Sequence, residues 1–126
     1  MSRFGKGSAL VAVVTLAALI TAVSAFARTD APTPVTVTAG KPTEFAFTLS
    51  KKTVKKGTTA LTVAFKVTNK GTVSHDFKIA GKKTLALKAG KTATLKVIFK
   101  KKGRYAYLCT LPGHAAGGMK GTFTVK

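Results

Sequence analysis

Between Phe45 and Val125 apolar side chains recur at every second position in a series of short runs, and that period leaves few folds open. Phe45, Phe47 and Leu49 are spaced by two, as are Leu61, Val63, Phe65 and Val67, then Phe77 and Ile79, then Leu85 and Leu87. Leu95, Val97 and Phe99 follow, then Tyr105, Tyr107 and Cys109, and last Phe123 and Val125. Neighbouring side chains of an extended strand point to opposite faces, so each segment buries one face and wets the other. The intervening residues are mostly Thr, Lys and Ala, which suits half-buried antiparallel strands. Gly40, Gly57, Asn69-Lys70-Gly71, Gly81, Gly90 and Gly103 punctuate the runs as turns. Seven to eight short strands, with a turn signal every ~8–12 residues, predict an all-β, Greek-key β-sandwich. Tyr105 or Tyr107 is placed to close a crossover as a tyrosine corner, or to serve as plain aromatic core. No segment carries a sustained helical repeat, and the chain has no internal repeats.

The start of the chain stands apart from this pattern. Arg3 and Lys6 make a positive head, residues 9–27 carry no charge, and Ala25-Phe26-Ala27 offers small residues where a signal peptidase cuts. Residues 1–27 therefore read as a secretory signal peptide. An uncleaved membrane anchor is the alternative, because the apolar run approaches the ~20 residues a span needs. No Arg-Arg pair precedes the run, which favours the general secretory route, in which the chain crosses unfolded. Residues 28–126 are then one periplasmic or extracellular domain, large enough for a single modest core.

Charge narrows the partners. The chain has 22 Lys and Arg against 3 Asp and Glu, a formal net charge of +19. The lysines cluster at Lys51-Lys52, Lys55-Lys56, Lys82-Lys83 and Lys100-Lys101-Lys102. Such spacing keeps edge strands soluble. It also makes a positive field able to steer an acidic partner. Weak contact with an anionic membrane surface is compatible with the same charge. Nucleic acid is a poor partner for an exported chain without a binding module. Nothing in the pattern asks for more than a monomer.

A single cysteine cannot form an internal disulfide, so in an oxidising compartment Cys109 needs another role. The domain's soft metal ligands are few: Cys109, His75, His114 and, once Met1 is set aside, Met119. Three of them share the segment Cys109-Thr110-Leu111-Pro112-Gly113-His114-Ala115-Ala116-Gly117-Gly118-Met119, and His75 follows the Asn69-Lys70-Gly71 turn. Taken singly, each has an ordinary reading as core or turn residue. Together, two imidazoles, a thiolate and a weak axial thioether are the donor set of a type 1 copper site. Pro112 and Gly113 bend the loop before His114, while Gly117 and Gly118 can take positive φ and turn Met119 back. The Leu111 N–H is free to point at the Cys109 sulfur, an interaction that tunes redox potential.

These pieces resemble the small cupredoxins, the family of plastocyanin, azurin and auracyanin. The matching residues are Val67-Thr68-Asn69, Gly71, Ser74-His75-Asp76-Phe77, Gly103, Tyr105, Tyr107, and the run from Cys109 through His114 and Met119 to Gly121. The resemblance implies reversible one-electron transfer by one Cu(I)/Cu(II) ion, with electrons leaving through the edge of His114. Leu111, Pro112, Ala115, Ala116, Gly117 and Gly118 would form an uncharged docking rim around it, and the lysine field would steer an acidic redox partner such as a cytochrome or oxidase to that rim. Two positions depart from the family. Asp76 stands where relatives commonly have Asn, and is expected to accept a bond from Thr110. Ser74 replaces the Gly of azurin-like sites, which favours four ligands over five. A catalytic copper oxidase needs further histidines, and a dinuclear centre needs a Cys-x3-Cys pair; the chain has neither. The alternative function is a copper carrier or buffer that delivers metal to another exported protein.

Overall fold

Alternation is realised most fully where two long strands pair through the middle of one sheet. β4 (Leu61–Asn69) and β7 (Thr92–Phe99) run antiparallel with Val63 opposite Val97, Phe65 opposite Leu95 and Val67 opposite Ala93. Val63, Phe65, Val67, Val97 and Phe99 are buried, whereas Ile98, on the other face of β7, is 60% exposed. The computed structural model describes residues 30–126 together with Gly5, Ala12, Ala17 and Ala18. Those four residues apart, the expected signal peptide lies outside the described residues. No described helix is long and apolar enough to cross a membrane.

Two sheets face each other. The first has the order β2-β1-β4-β7, adding β1 (Thr33–Ala39) and β2 (Phe47–Leu49). The second has the order β3-β9-β8-β5-β6, from β3 (Thr53–Val54), β9 (Lys120–Val125), β8 (Gly103–Leu108), β5 (Lys78–Ile79) and β6 (Lys82–Lys83). The expected β-sandwich is therefore present, with two differences of detail. Nine strands are described rather than seven or eight, because β3, β5 and β6 are two-residue pairings too short to show a period. The sheets are mixed: β1 pairs with β4, and β3 with β9, in parallel. The chain leaves the first sheet after β2 and returns to it at β4, and such an excursion is what lets a strand come back parallel to an earlier neighbour.

The core is a column of aromatic rings between the sheets. Phe65 lies 5.4 Å from Phe77 and 5.2 Å from Phe123, Phe99 lies 4.7 Å from Tyr105, and Phe47 lies 5.3 Å from Phe77. Most of these pairs are edge-on or tilted, the arrangement ring quadrupoles prefer. At the lower end Tyr105 donates its hydroxyl to the Lys101 carbonyl at 2.6 Å, so Tyr105 makes the tyrosine corner. Tyr107 is buried core, and a side chain at Gly121 would collide with its ring. At the upper end Phe47 packs beneath a small separate cluster of Ala39, Cys109 and Met119. Three loops meet over that cluster: residues 40–46, 70–77 and 109–119.

Candidate metal centre

His75 is held by its backbone first. It exchanges two hydrogen bonds with Leu87, donating at 3.0 Å and accepting at 2.7 Å. The turn before it is pinned by Asn69, fully buried, whose amide donates to the carbonyls of Val73 and Leu87, each at 2.8 Å. The Asn69 side-chain oxygen accepts from Gly71 N–H at 2.8 Å. Every polar atom of that side chain is used, which is what burial of an amide requires. The Asn69-x-Gly71 signal thus marks a rigid turn that delivers His75.

Cys109 follows the last residue of β8, and its N–H donates to the Met119 carbonyl at 3.1 Å, closing the ligand loop at its base. Inside the loop His114 N–H donates to Leu111 O at 3.2 Å, and Met119 N–H donates to His114 O at 3.1 Å. The positive φ values fall on Gly113 (78°) and Gly118 (110°). Gly117, expected to share this role, does not. A Cβ there would make ordinary contact with the Phe45 ring at 3.4 Å.

These backbones bring the four expected ligands together. The Nδ1 atoms of His75 and His114 are 3.1 Å apart, and Cys109 Sγ lies 3.5 Å from His114 Nδ1. The donor atoms of His75, Cys109 and His114 all lie within 4.8 Å of one another. The separations of 3.1 and 3.5 Å are close to those of donors sharing one ion at ~2.0–2.3 Å, so one ion would fit with small side-chain adjustments. Met119 is fully buried and packs in the same cluster as Cys109. The soft thiolate and thioether with two imidazoles suit copper. Burial, with the Asp76 charge adding to it, pushes the Cys109 thiol above its ordinary range.

Asp76 does what its position suggested. One carboxylate oxygen accepts from Thr110 N–H at 2.6 Å and the other from the Thr110 hydroxyl, tying the His75 segment to the Cys109 loop. Asp76→Asn preserves both contacts, with the amide donating to the Thr110 hydroxyl in place of accepting. It should cost about 1 kcal/mol or less in urea unfolding of the metal-free protein. With one negative charge fewer beside the thiolate, the bound ion's reduction potential should rise in a redox titration.

Two neighbours of the ligands carry no sequence motif and went unseen. Phe45, read as a strand residue, sits in the loop before β2, is 41% exposed, and stacks its edge against His114 with ring centroids 4.9 Å apart. Glu44 Oε1 lies 2.7 Å from His75 Nε2. The Glu44 carboxyl is held down at about 2 by the Thr72 N–H first, then by the His75 ring, with smaller help from Val73 N–H and the Thr72 hydroxyl. The one signal that could have found Glu44 is scarcity, since it is among only 3 acids in the chain.

The fold has recorded relatives. A reduced auracyanin from Roseiflexus castenholzii is 24% identical with a TM-score of 0.57, covering 77% of this chain and 99% of that one. Rusticyanin from Thiobacillus ferrooxidans is 28% identical with a TM-score of 0.53, covering 77% and 79%. A multi-copper oxidase from Pediococcus acidilactici matches at 17% identity and a TM-score of 0.55, but the matched part is 27% of that longer chain. No curated protein sequence matches significantly. The profile of the copper-binding proteins of the plastocyanin/azurin family matches residues 34–126, which span both sheets and all four donors, and the chain belongs to that family.

Proposed function

We propose that the chain is an exported one-electron carrier in which His75, Cys109, His114 and Met119 would hold one copper ion. The observation that carries this reading is the bracing of the donors. His75 is fixed by Leu87 and Asn69, Cys109 by Met119 and Asp76, and His114 by the turn of its own loop. Copper in such a set supplies reversible one-electron exchange at the metal. The protein's part is to hold the donors still through that exchange and keep water from them, and burial of His75, Cys109 and Met119 supports both.

His114 is the ligand that is only partly buried, beside exposed Pro112, Gly113, Ala116, Gly117 and Gly118. Phe45, 41% exposed, adds apolar surface beside it. Electrons leave by this edge in our reading, through a rim suited to brief docking with a redox partner. Both histidines and the one cysteine of the chain are used at this centre, so none remains for a second copper site.

The test is a titration of Cu(II) into the purified domain of residues 28–126, followed by visible and EPR spectroscopy. An intense blue thiolate-to-copper band is expected, bleached reversibly by ascorbate. Cys109→Ser should abolish the band and lower copper affinity by orders of magnitude. A folded, colourless protein without tight copper uptake would sink the proposal. Tight Cu(I) binding without a blue Cu(II) form would replace it with the carrier function.

A further inference from the structure

In a chain with a net charge of +19, two of the 3 acids lie at one end of the sandwich. Asp76 joins the His75 segment to the Cys109 loop. Glu44, from the loop between β1 and β2, reaches the His75 imidazole itself. Its carboxylate accepts four hydrogen bonds or more from residues 72–75. Thr72 N–H lies 2.9 Å from Oε2 and 3.0 Å from Oε1, the Thr72 hydroxyl 3.0 Å from Oε2, and Val73 N–H 3.2 Å from Oε1. The shortest contact of all goes to His75 Nε2, at 2.7 Å.

Space has been cleared for this contact. A Cβ on Gly71 would run into Glu44 Oε1 and lie 3.0 Å from His75 Nε2. Gly71 is not among the residues with positive φ, so closeness to the carboxylate and the ring, not backbone conformation, requires glycine. Gly40 in turn lies against Gly71, where a Cβ would meet the Gly71 backbone at 2.5 Å. The two loops therefore touch through glycines, and the side chain that crosses the junction is Glu44.

An acceptor at Nε2 decides the chemistry of the other ring nitrogen. With Nε2–H donated to Glu44, His75 Nδ1 keeps its lone pair and faces His114 Nδ1 and Cys109 Sγ. A ligand imidazole bonded to a carboxylate is also more basic than one bonded to a neutral group, and a fixed negative charge nearby favours the more highly charged ion. We propose that Glu44 is the positioning residue of His75, which locks its metal-ready tautomer and biases the centre toward Cu(II) over Cu(I). This rests on the copper reading above for the metal but not for the tautomer.

Two measurements test it. In the metal-free 28–126 domain, nitrogen-15 NMR of the imidazoles should show His75 as the Nε2–H tautomer, and Glu44→Ala should turn it into a mixture. A wild-type His75 protonated on Nδ1, or a Glu44→Ala variant that keeps the wild-type tautomer, would overturn the proposal even if the protein never took up copper. In the copper-loaded domain, Cu(II) and Cu(I) affinities are measured separately by competition with chelators. Glu44→Ala should weaken Cu(II) by ~10–100-fold, the range for loss of a ligand's hydrogen-bonding partner, and Cu(I) by less. Glu44→Gln keeps the shape without the charge and should shift the same ratio in the same direction by a smaller factor. Gly71→Ala, which displaces the carboxylate, should resemble Glu44→Ala. If both Glu44 variants lose thermal stability while the Cu(II)/Cu(I) affinity ratio stays at the wild-type value, Glu44 is only a loop brace and the proposal fails.

Discussion

Phe65→Ala is expected to lower the stability of the metal-free domain by ~3–5 kcal/mol. The ring is fully buried at the midpoint of β4, between the strands bearing Val35 and Leu95, and touches the rings of Phe77, Phe99 and Phe123. Its neighbours cannot all close the gap. Phe77 is chained to the site through His75 and Asp76, and Phe123 is fixed by the pairing of β9 with β8. A domain of this size loses roughly 4–8 °C in Tm for each kcal/mol, so a fall of 12 °C or more (about 4 °C per kcal/mol, times about 3) is the expected reading by circular dichroism. Since such domains hold only ~5–15 kcal/mol in total, the variant approaches the limit of folding. The metal-free form is the one to use, because a ligand bound only by the native state masks part of any loss. A loss below ~1 kcal/mol would mean that the aromatic column repacks freely and does not set the height of the site above the sheets.

The same residue shows what the sequence made legible. Phe65 belongs to an unbroken run, Leu61 to Val67, whose period matches the pleat and whose burial in β4 follows it. Where alternation is long the reading holds. Where it is short it misleads: Leu85 shares the spacing of Leu87, yet it is 86% exposed, while Leu87 pairs with His75. Phe45 shares the spacing of Phe47 but belongs to a loop. A two-residue match cannot tell a strand from a turn, because its register is set by tertiary contacts. Parallel pairing of β1 with β4 is invisible for a related reason, since period two is the same in both directions.

The ligands were legible because thiol, imidazole and thioether are rare in this chain and their chemistry admits few combinations. Gly118 and Gly113 fit the turns expected of them, while Gly117 lacks the positive φ expected of it. Glu44 belongs to another category. It bonds to residues 28 to 31 positions away, through a loop with no periodicity and no motif. Only the fold reveals which carboxylate faces which imidazole.

The lysines pose the question of function most directly, and salt should answer it. Association with an acidic redox partner is expected to slow at least ~10-fold between ~10 mM and ~0.5 M ionic strength, since steering raises such rates by 10–10³ and the Debye length shrinks below ~10 Å beyond 0.1 M. The positive charge is largely unneutralised: among the described residues no lysine is bridged to a carboxylate, and the one close basic–acidic contact is the His75–Glu44 hydrogen bond. A protective explanation also has support, because Lys82-Lys83 forms edge strand β6 and Lys51-Lys52 precedes edge strand β3, where lysine discourages pairing between molecules. The two explanations differ in what they ask of the rate. Stopped-flow mixing of the copper-loaded domain with an acidic cytochrome, across a salt series, reads the second-order rate directly. Steering predicts a steep fall there and little change in the electron-transfer step within the complex, because screened charges act mainly on encounter. A flat second-order rate would leave the lysines with edge protection and solubility alone, and docking would then rest on the uncharged rim around His114.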